Sequence, residues 1–495
     1  FSSSIIERLT FAQGLPELWD EGEFQEVDEY ALEVSKDLLI YLNQYKSTIF
    51  EKLSDYGLNL SANFTLIRVH LLKFLAILPS LDHDKSGREF KRILNETLRR
   101  LIQDSNLARA KKTKGQNRAL PNSLVRIFSF IYKIISFIPA SVLAFSVRKI
   151  VMMMAKRFIA GEKISKISGT ISELKNTSRE MTLDQLGELV VSDKEAQLYF
   201  EKVIEIIHGL EKYYTQGEKN NAGILKAHVS IKVSALSHDF KPHAFDYTYT
   251  RVAPRLREIL LQAKQKNVFV NIDAEHYHFR DLVFKIYAKI LLETPQLADY
   301  GQTGIVVQCY LRDAYSHLKE IIELSKKRKL VMPVRLVKGA YWDAETVEAD
   351  AHNFKAPQFL NKEETDIHYR QLIYMCLKHK DELQLSVASH NFMDHCWAHA
   401  LREKVFPEAA VIEHQCLHMT YEALSNALSK MNWATRNYIP VGNLLVGMAY
   451  LVRRIMENSS QVGVLTIMRS HKKQASFKSP QDILKFNKKR RLITW

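Results

Sequence analysis

The second half of the chain alternates short apolar runs with longer helical stretches, and this alternation limits the possible folds more than any other feature. Seven runs rich in β-branched residues follow Ala227: HVSIKVSAL (228–236), VFVNIDAE (268–275), GIVVQCYL (304–311), MPVRLVKGAYW (332–342), LQLSVASHN (383–391), AVIEHQCL (410–417) and TRNYIPVG (435–442). Strands separated by helices indicate a parallel sheet with crossover helices. The pattern predicts an α/β fold, a (β/α)8 barrel, with an open doubly wound sheet as the alternative. The eighth strand is ambiguous, and residues 461–467 are a candidate for it.

The first third of the chain has a helical period and predicts an all-helical region before the barrel. Apolar residues three and four apart mark helices over residues 31–45 and 66–77, and residues 184–210 also read as helical. The polar, basic stretch 106–122 reads as a loop. We expect a helical arm and helical domain over 1–180, the barrel over 181–470 and a basic tail over 471–495.

One apolar stretch approaches the length of a membrane span. Residues 127–145 read IFSFIYKIISFIPASVLAF and run on into an amphipathic segment at 147–158. Lys133 and Pro139 interrupt the stretch, so a buried or interfacial helix is favoured over a true span.

Composition excludes several classes of protein. A chain of 495 residues with 46% hydrophobic and 25% charged residues is a packed globular protein, not a disordered or fibrous one. Four cysteines over this length do not make a disulfide scaffold and favour a reducing compartment. The net charge of +15 is compatible with an anionic partner, either nucleic acid or a membrane surface.

Polar residues stand in or at the close of the apolar runs, where a parallel barrel builds its active site. The carboxyl ends of barrel strands meet at one rim, so we expect these side chains to converge on a site there. They are Lys232, Asp273, Gln308, Arg335, Lys338, His390, Gln415 and Tyr438.

No other motif competes with this rim. His395 and His399 have the i,i+4 spacing of some metal ligands but lack the acidic neighbour of H-E-x-x-H, so packing is the favoured interpretation and no metal is expected. No P-loop and no G-x-G-x-x-G is present, so a dinucleotide would bind without a Rossmann fingerprint. Adjacent Arg453 and Arg454, on a helical segment after the last run, could bind a carboxylate or phosphate.

The ordered motifs of residues 183–464 resemble the proline dehydrogenase family, in particular the proline dehydrogenase half of the bifunctional bacterial proline utilisation A flavoproteins. The resemblance rests on VSIKVSAL, NIDAE, VVQCYLRDA, VRLVKGAYWDAE, SHN, HQCLHM, NYIPVG and AYLVRRIMEN, with weaker likeness in VRKIVMMMAKRFIAGE and LDQLGE. HQCLHM is one glycine shorter than the usual family motif. No long second half follows, so an aldehyde dehydrogenase module is not expected in this chain.

The resemblance implies oxidation of L-proline to Δ1-pyrroline-5-carboxylate on non-covalent FAD, with electrons passed to a membrane quinone. It implies that Arg453, Arg454 and Lys232 hold the substrate carboxylate, and that Tyr438 and Asp273 line the substrate. Glu188 matches a family acid that pairs with an active-site arginine in the empty site. The residues matching family FAD contacts are Gln308, Arg335, Lys338, Gly339, Ala340, Trp342, His390, Asn391 and Glu457.

The resemblance also implies a cytoplasmic protein associated peripherally with the inner face of the bacterial cell membrane. The basic tail carries Lys488 to Arg491 beside Leu492, Ile493 and Trp495 and is the expected contact with anionic lipid. Nucleic acid is not an expected partner. The alternative function is a barrel that has lost turnover and acts as a binding or regulatory module.

Overall fold

Eight parallel strands close into a barrel in sequence order. The computed structural model describes residues 24–46, 63–81, 84–111, 119–187 and 190–442. The barrel strands are β1 Glu180–Gln185, β2 His228–Ile231, β3 Phe269–Ile272, β4 Thr303–Gln308, β5 Met332–Val337, β6 Leu383–Ala388, β7 Glu413–Leu417 and β8 Thr435–Val441. The predicted (β/α)8 barrel is confirmed, and each of the seven apolar runs contains one strand.

The strand signal comes from burial on both faces of the sheet. Side chains of register partners point to the same side, so Ile305 of β4 lies beside Val334 of β5, and Leu385 of β6 lies beside Val334 in turn. All of these side chains are buried. A strand covered on both faces needs near-continuous apolar residues, which explains why short apolar runs predict these strands well.

The eighth strand is β1, and the prediction of a helix over 184–210 is wrong at its start. Met181 and Leu183 alternate with Thr182 and Asp184, and all four are buried within β1. This two-residue period is the mark of a strand. The helix itself begins only at Asp193, after a side-chain cap from Ser192. The candidate eighth strand at 461–467 lies outside the described residues.

The barrel belongs to a compact unit that also contains the first described helix, α1 (Gln25–Gln44). Val27, Ala31 and Leu38 of α1 are buried. Asp28 accepts a hydrogen bond of 2.9 Å from the indole N–H of Trp397, which is itself fully buried. The segment expected to be a helical arm therefore packs directly on the barrel unit.

A second compact unit contains the next four helices. They are α2 Thr65–Ile77, α3 Arg88–Ala110, α4 Asn122–Phe137 and α5 Ala140–Phe158. The predicted loop over 106–122 is wrong at its start, because α3 continues to Ala110. From Asn106 to Ala110 the helix is exposed or half-buried, so its last turn faces solvent.

The apolar stretch 127–145 forms two helices rather than one. Helix α4 ends at Phe137, and Pro139 begins the turn into α5 because its ring cannot continue the preceding helix. Among the described helices, none is both long and apolar enough to cross a bilayer.

The remaining helices surround the barrel and connect its strands. Residues predicted as helical at 255–265, 314–327 and 366–379 fall in three of them. These helices are α6 Ser168–Asn176, α7 Asp193–Gly209, α8 Phe245–Lys266, α9 Tyr277–Glu293, α10 Ala314–Arg328, α11 Trp342–His352, α12 Lys362–Lys378, α13 Phe392–Val405 and α14 Glu422–Lys430.

A buried ion pair fills the end of the barrel at which the strands begin. Arg436 of β8 and Glu413 of β7 are both fully buried, and the Arg436 Nε donates to both Glu413 oxygens at 2.9 Å. The other guanidinium nitrogens donate to the backbone oxygens of Met181, Leu225 and Lys226. Arg436 thereby ties β8 to β1 and to the segment entering β2. Gln415 donates to Glu413 at 2.6 Å and belongs to this network, so its predicted place at the opposite rim is wrong.

We expect Glu413→Gln to lower the free energy of unfolding by about 3–5 kcal/mol, because it leaves the buried Arg436 cation without its counter-charge. The exposed Glu408→Gln, in the segment that leads into β7, is the matched control, and its free energy of unfolding should stay within about 0.5 kcal/mol of the wild type. Urea unfolding followed by circular dichroism measures both. Equal stability of the two variants would contradict this account of the network.

Candidate active site

Asp273 is the centre of a hydrogen-bonded cluster where the strands end. It follows β3 directly, and its carboxylate accepts from Arg335 Nη1 at 2.9 Å, from the Tyr438 hydroxyl at 2.7 Å and from Asn271 Nδ2 at 3.2 Å. Lys232 Nζ lies 4.0 Å from it. The structure therefore brings three predicted site residues to the carboxylate of a fourth: Lys232 just after β2, Arg335 in β5 and Tyr438 in β8 surround Asp273.

Lys232 is held by a second carboxylate that the sequence analysis did not single out. Its ammonium donates to both oxygens of Asp184 in β1, at 2.7 and 2.8 Å. Its backbone N–H donates to the hydroxyl of Tyr199 at 2.9 Å. Both members of the Lys232–Asp184 pair are buried. Lys232 therefore reaches the site with its head group in a fixed position.

Burial changes the protonation chemistry of this cluster. Desolvation outweighs the attraction of Lys232 and raises the pKa of Asp184 to about 6, with the negative charge of Asp273 acting in the same direction. Desolvation, with the nearby charges of Asp184 and Asp273, also raises the pKa of Tyr438 well above its ordinary value. Tyr438 is thus a neutral hydrogen-bond donor, and Asp184 titrates close to neutrality.

Arg335 crosses the inside of the barrel, and one of its N–H donors has no hydrogen-bond partner. Its second terminal nitrogen donates to Ser230 Oγ at 3.1 Å, and its guanidinium lies 5.5 Å from the centre of the Tyr438 ring. Its Nε is buried without a hydrogen-bond partner, and so is Oε1 of Gln308 on the adjacent strand β4. Unpaired buried polar atoms are costly unless a ligand satisfies them. These two atoms are therefore suited to a polar ligand.

Lys338 is held by two acids at the end of β5. Its ammonium lies 2.5 Å from Asp366 and 2.8 Å from Asp394. Desolvation lowers the pKa of Lys338, but the two carboxylates outweigh it and raise the pKa overall. The ion pairs, joined by Lys362 at 2.5 Å from Asp366, keep Lys338 charged and oriented.

Gly339 is required by its neighbour as well as by its backbone. Its φ of +141° is one that side-chain-bearing residues rarely adopt, and an added Cβ would lie 2.3–2.5 Å from the Tyr310 ring. The Tyr310 ring and the positive φ are together sufficient to explain why a glycine stands here. Beyond it the backbone is open, because Ala340 and Trp342 are exposed. The Trp342 indole donates to the Phe359 carbonyl at 2.9 Å.

His390 and Asn391 close β6 and are fixed by local hydrogen bonds. Nε2 of His390 accepts from the Leu417 N–H at 3.1 Å, which places the ring proton of the neutral imidazole on Nδ1. The Asn391 side chain caps α13 by accepting from the Met393 N–H at 3.2 Å. Both residues are partly exposed on the same side of the barrel as Lys338.

His395, His399 and His414 pack against one another and against Trp433. His395 and His414 meet through their Nδ1 atoms at 3.0 Å, and His399 and His414 both stack on Trp433. Burial lowers the pKa of His395 to about 4, so it is neutral. Within the described ranges, no cluster of three or more His, Cys, Asp or Glu could hold a metal ion.

Four predicted site residues, Glu188, Arg453, Arg454 and Glu457, lie outside the described residues. Five further residues of these clusters are not predicted from the sequence: Asp184, Ser230, Asn271, Asp366 and Asp394. Ser230 and Asn271 stand between apolar residues of β2 and β3, and this alternation could have revealed them. Asp366 and Asp394 lie on helices, and no sequence spacing connects them with Lys338.

A family model for proline dehydrogenase matches residues 167–466. The chain belongs to the proline dehydrogenase family. It is 29% identical over 319 residues to the bifunctional protein PutA of Salmonella typhimurium, covering 62% of this chain and 23% of the relative. It is 28% identical over 303 residues to proline dehydrogenase 1 of Bacillus subtilis, covering 61% of this chain and 86% of that protein.

A solved structure resembles most of the chain. Proline utilization A from Bdellovibrio bacteriovorus, inactivated by N-propargylglycine, superposes with a TM-score of 0.74 at 28% identity. The match covers 90% of this chain and 43% of that one. This chain therefore spans about a quarter of the PutA relatives matched by sequence and less than half of this one.

We expect the raised pKa of Asp184 to make the free energy of unfolding depend on pH. Its folded pKa of about 6 lies above the unfolded value of about 3.8, so the folded state binds the extra proton and loses stability as pH rises between these values. The loss amounts to about 3 kcal/mol for a shift of about two pKa units. Asp184→Asn should flatten this part of the profile, measured by urea unfolding from about pH 3.5 to 7.

The exposed Asp350→Asn is the control and should keep the wild-type slope. The comparison uses the slope with pH, because Asp184→Asn also changes the absolute stability by removing the partner of Lys232. A wild-type slope in Asp184→Asn would show that Asp184 does not titrate in this range.

Proposed function

We propose that this chain oxidises L-proline to Δ1-pyrroline-5-carboxylate with bound, non-covalent FAD. The observation that carries the proposal is the cluster of Lys232, Asp273, Arg335 and Tyr438 at the strand ends of a barrel belonging to the proline dehydrogenase family. Barrels of this class build their chemistry at that end. The reaction removes two electrons and two protons from the substrate and creates a C=N bond.

The charge balance of the cluster supports a carboxylate clamp made by Arg453 and Arg454. Among the described residues at its centre, two carboxylates face one lysine and one arginine, and these cations already make ion pairs of 2.7 to 2.9 Å. Such a balanced group offers no net positive charge to an incoming carboxylate. Two further guanidinium groups would supply it, with planar forks that bind carboxylate bidentately. Lys232 would add a third contact.

Tyr438 and Asp273 would shape the rest of the substrate site. The Tyr438 hydroxyl donates to Asp273 at 2.7 Å, which fixes the phenol ring beside the cluster. A fixed aromatic face suits the apolar ring of proline and would help to exclude longer side chains. Binding would then depend on the carboxylate at one end and on ring size at the other.

The residues at the ends of β4 to β6 fit a flavin. Gln308 Oε1 and Arg335 Nε are buried and unpaired, and Lys338 is a fixed, charged donor. These residues would hold FAD together with Gly339, Ala340, Trp342, His390, Asn391 and Glu457. FAD supplies the two-electron acceptor, and a nearby arginine favours the negative charge that its ring gains on reduction. Arg335, held by Asp273 and Ser230, would provide that charge.

The electron acceptor of the proposed reaction is a membrane quinone, and the protein would associate peripherally with the inner face of the cell membrane. The proposal for the membrane rests on the basic tail, where each Lys or Arg near anionic lipid contributes about 1 kcal/mol. Truncation after Ser479 and high salt would both weaken such binding.

We expect Arg453→Met and Arg454→Met each to lower kcat/KM for proline by about 10- to 150-fold, since each removes a charge-assisted contact of about 1.5–3 kcal/mol. Flavin content should be unchanged. The rate is measured with a soluble artificial electron acceptor, so that membrane binding does not enter. Arg99→Met, an exposed arginine on α3, is the control and should keep the wild-type rate. Normal turnover by either clamp variant would contradict its assignment.

We also expect FAD to leave the protein on denaturation, because nothing in the sequence indicates a covalent attachment. Heating or acid precipitation should leave the flavin in the supernatant, where chromatography identifies it as FAD. Flavin remaining with the precipitated chain would show a covalent bond, and a folded protein unable to take up FAD would contradict the proposal.

A further inference from the structure

Helix α4 exposes an apolar stripe to solvent. Ile127, Phe130, Ile131, Ile134 and Phe137 follow one another at helical spacing and lie within an arc of about 120° on the helix. Their exposed fractions are 51%, 64%, 38%, 42% and 87%. This pattern is the one that normally faces a protein core. At 87% exposure, Phe137 shows that no residue in the described part of the chain covers this end of the stripe.

The first turn of the next helix extends the exposed apolar surface. Val142 and Phe145 of α5 are 53% and 68% exposed, whereas Leu143 and Ala144 between them are buried. The two helices thus bury one face and expose another. An uncovered surface of this kind marks an interaction site.

The elbow between the helices is fixed in place. Lys91 of α3 donates to the carbonyl oxygens of Ser136 and Ile138, at 3.0 and 2.7 Å, and so caps the end of α4. Arg148 of α5 donates to the Leu81 carbonyl and lies over the Phe90 ring. The exposed stripe is therefore presented by a supported helix and not by a frayed end.

The charge around the stripe identifies the kind of partner. Residues 105–161 contain eleven Lys and Arg and no Asp or Glu, although the whole chain has 55 acids in 495 residues. At that frequency about six acids would be expected in this segment. It supplies most of the net charge of +15. Arg126 and Lys133 are exposed along one edge of the stripe, where long cationic side chains can reach headgroups while their stems cover apolar surface.

We propose that α4 is an interfacial helix that docks the protein on an anionic lipid bilayer. A helix with an apolar face, a cationic edge and no acid lies in the plane of the membrane, with its apolar residues among the acyl chains. The stripe inserts and Arg126 and Lys133 contact anionic headgroups. A protein partner would require acidic residues of its own opposite this segment, whereas an anionic bilayer meets both the apolar and the cationic requirement.

The test is sedimentation of the full chain with phosphatidylcholine vesicles containing about 30% phosphatidylglycerol, compared with phosphatidylcholine alone. Phe130→Asp with Phe137→Asp should raise the lipid concentration for half-binding at least about tenfold. Leu198→Asp with Leu292→Asp, two exposed apolar residues on barrel helices, adds the same charge and should change it less than about twofold. Proline oxidation with a soluble acceptor should be unchanged in both variants.

A reporter variant tests insertion directly. The tryptophan of Phe130→Trp should shift its emission to shorter wavelength on addition of the anionic vesicles and should not shift with the neutral ones. Truncation after Ser479 distinguishes the contribution of α4 from that of the basic tail. The truncated chain should keep the part of vesicle binding that depends on Phe130 and Phe137.

Three results would overturn the proposal. The first is that the full chain does not sediment with anionic vesicles. The second is that the combined Phe130→Asp and Phe137→Asp variant binds vesicles as well as the wild type. The third is that the wild type forms a dimer without lipid and this variant does not, as measured by analytical ultracentrifugation; the stripe would then bind a second copy of the chain. None depends on catalysis, so loss of proline oxidation alone would contradict only the proposed function.

Discussion

The carboxylate of Asp273 is the interaction on which the barrel mouth depends. It receives hydrogen bonds from Arg335 and Tyr438 and lies near the ammonium of Lys232, so one acid positions side chains from β2, β5 and β8. This is possible because the carboxyl ends of parallel strands in a closed barrel converge. Asp184 completes the arrangement by holding Lys232 from β1.

The buried ion pairs at the two ends of the barrel have different roles. Where the strands begin, Glu413 and Arg436 satisfy one another fully and bind β8 to β1. Where the strands end, some buried polar atoms have no hydrogen-bond partner, including Arg335 Nε and Gln308 Oε1. A fully satisfied network contributes a defined structure, whereas an incompletely satisfied one is suited to a ligand. The difference in hydrogen bonding separates the stabilising end from the end suited to a ligand.

The sequence predicts most of the barrel because strands buried on both faces consist of short apolar runs. Seven strands and the residues that close them are predicted from these runs. Strand β1 is not, since its polar residues face the interior and resemble the exposed face of a helix. Asp366 and Asp394 could not be predicted because their contact with Lys338 joins two helices to a strand end across the fold. The exposure of Phe130 and Phe137 is equally invisible in the sequence, where an apolar stripe normally predicts burial.

We propose that proline is oxidised on a flavin at the end of the barrel where the strands close. The most direct measurement is the absorbance spectrum of the FAD-loaded protein under anaerobic conditions, before and after addition of L-proline. We expect the absorbance band of the oxidised flavin to bleach on addition of L-proline and to return when an electron acceptor is supplied. A bound flavin that stays oxidised with saturating L-proline would contradict the claim and would favour a barrel that binds without turnover.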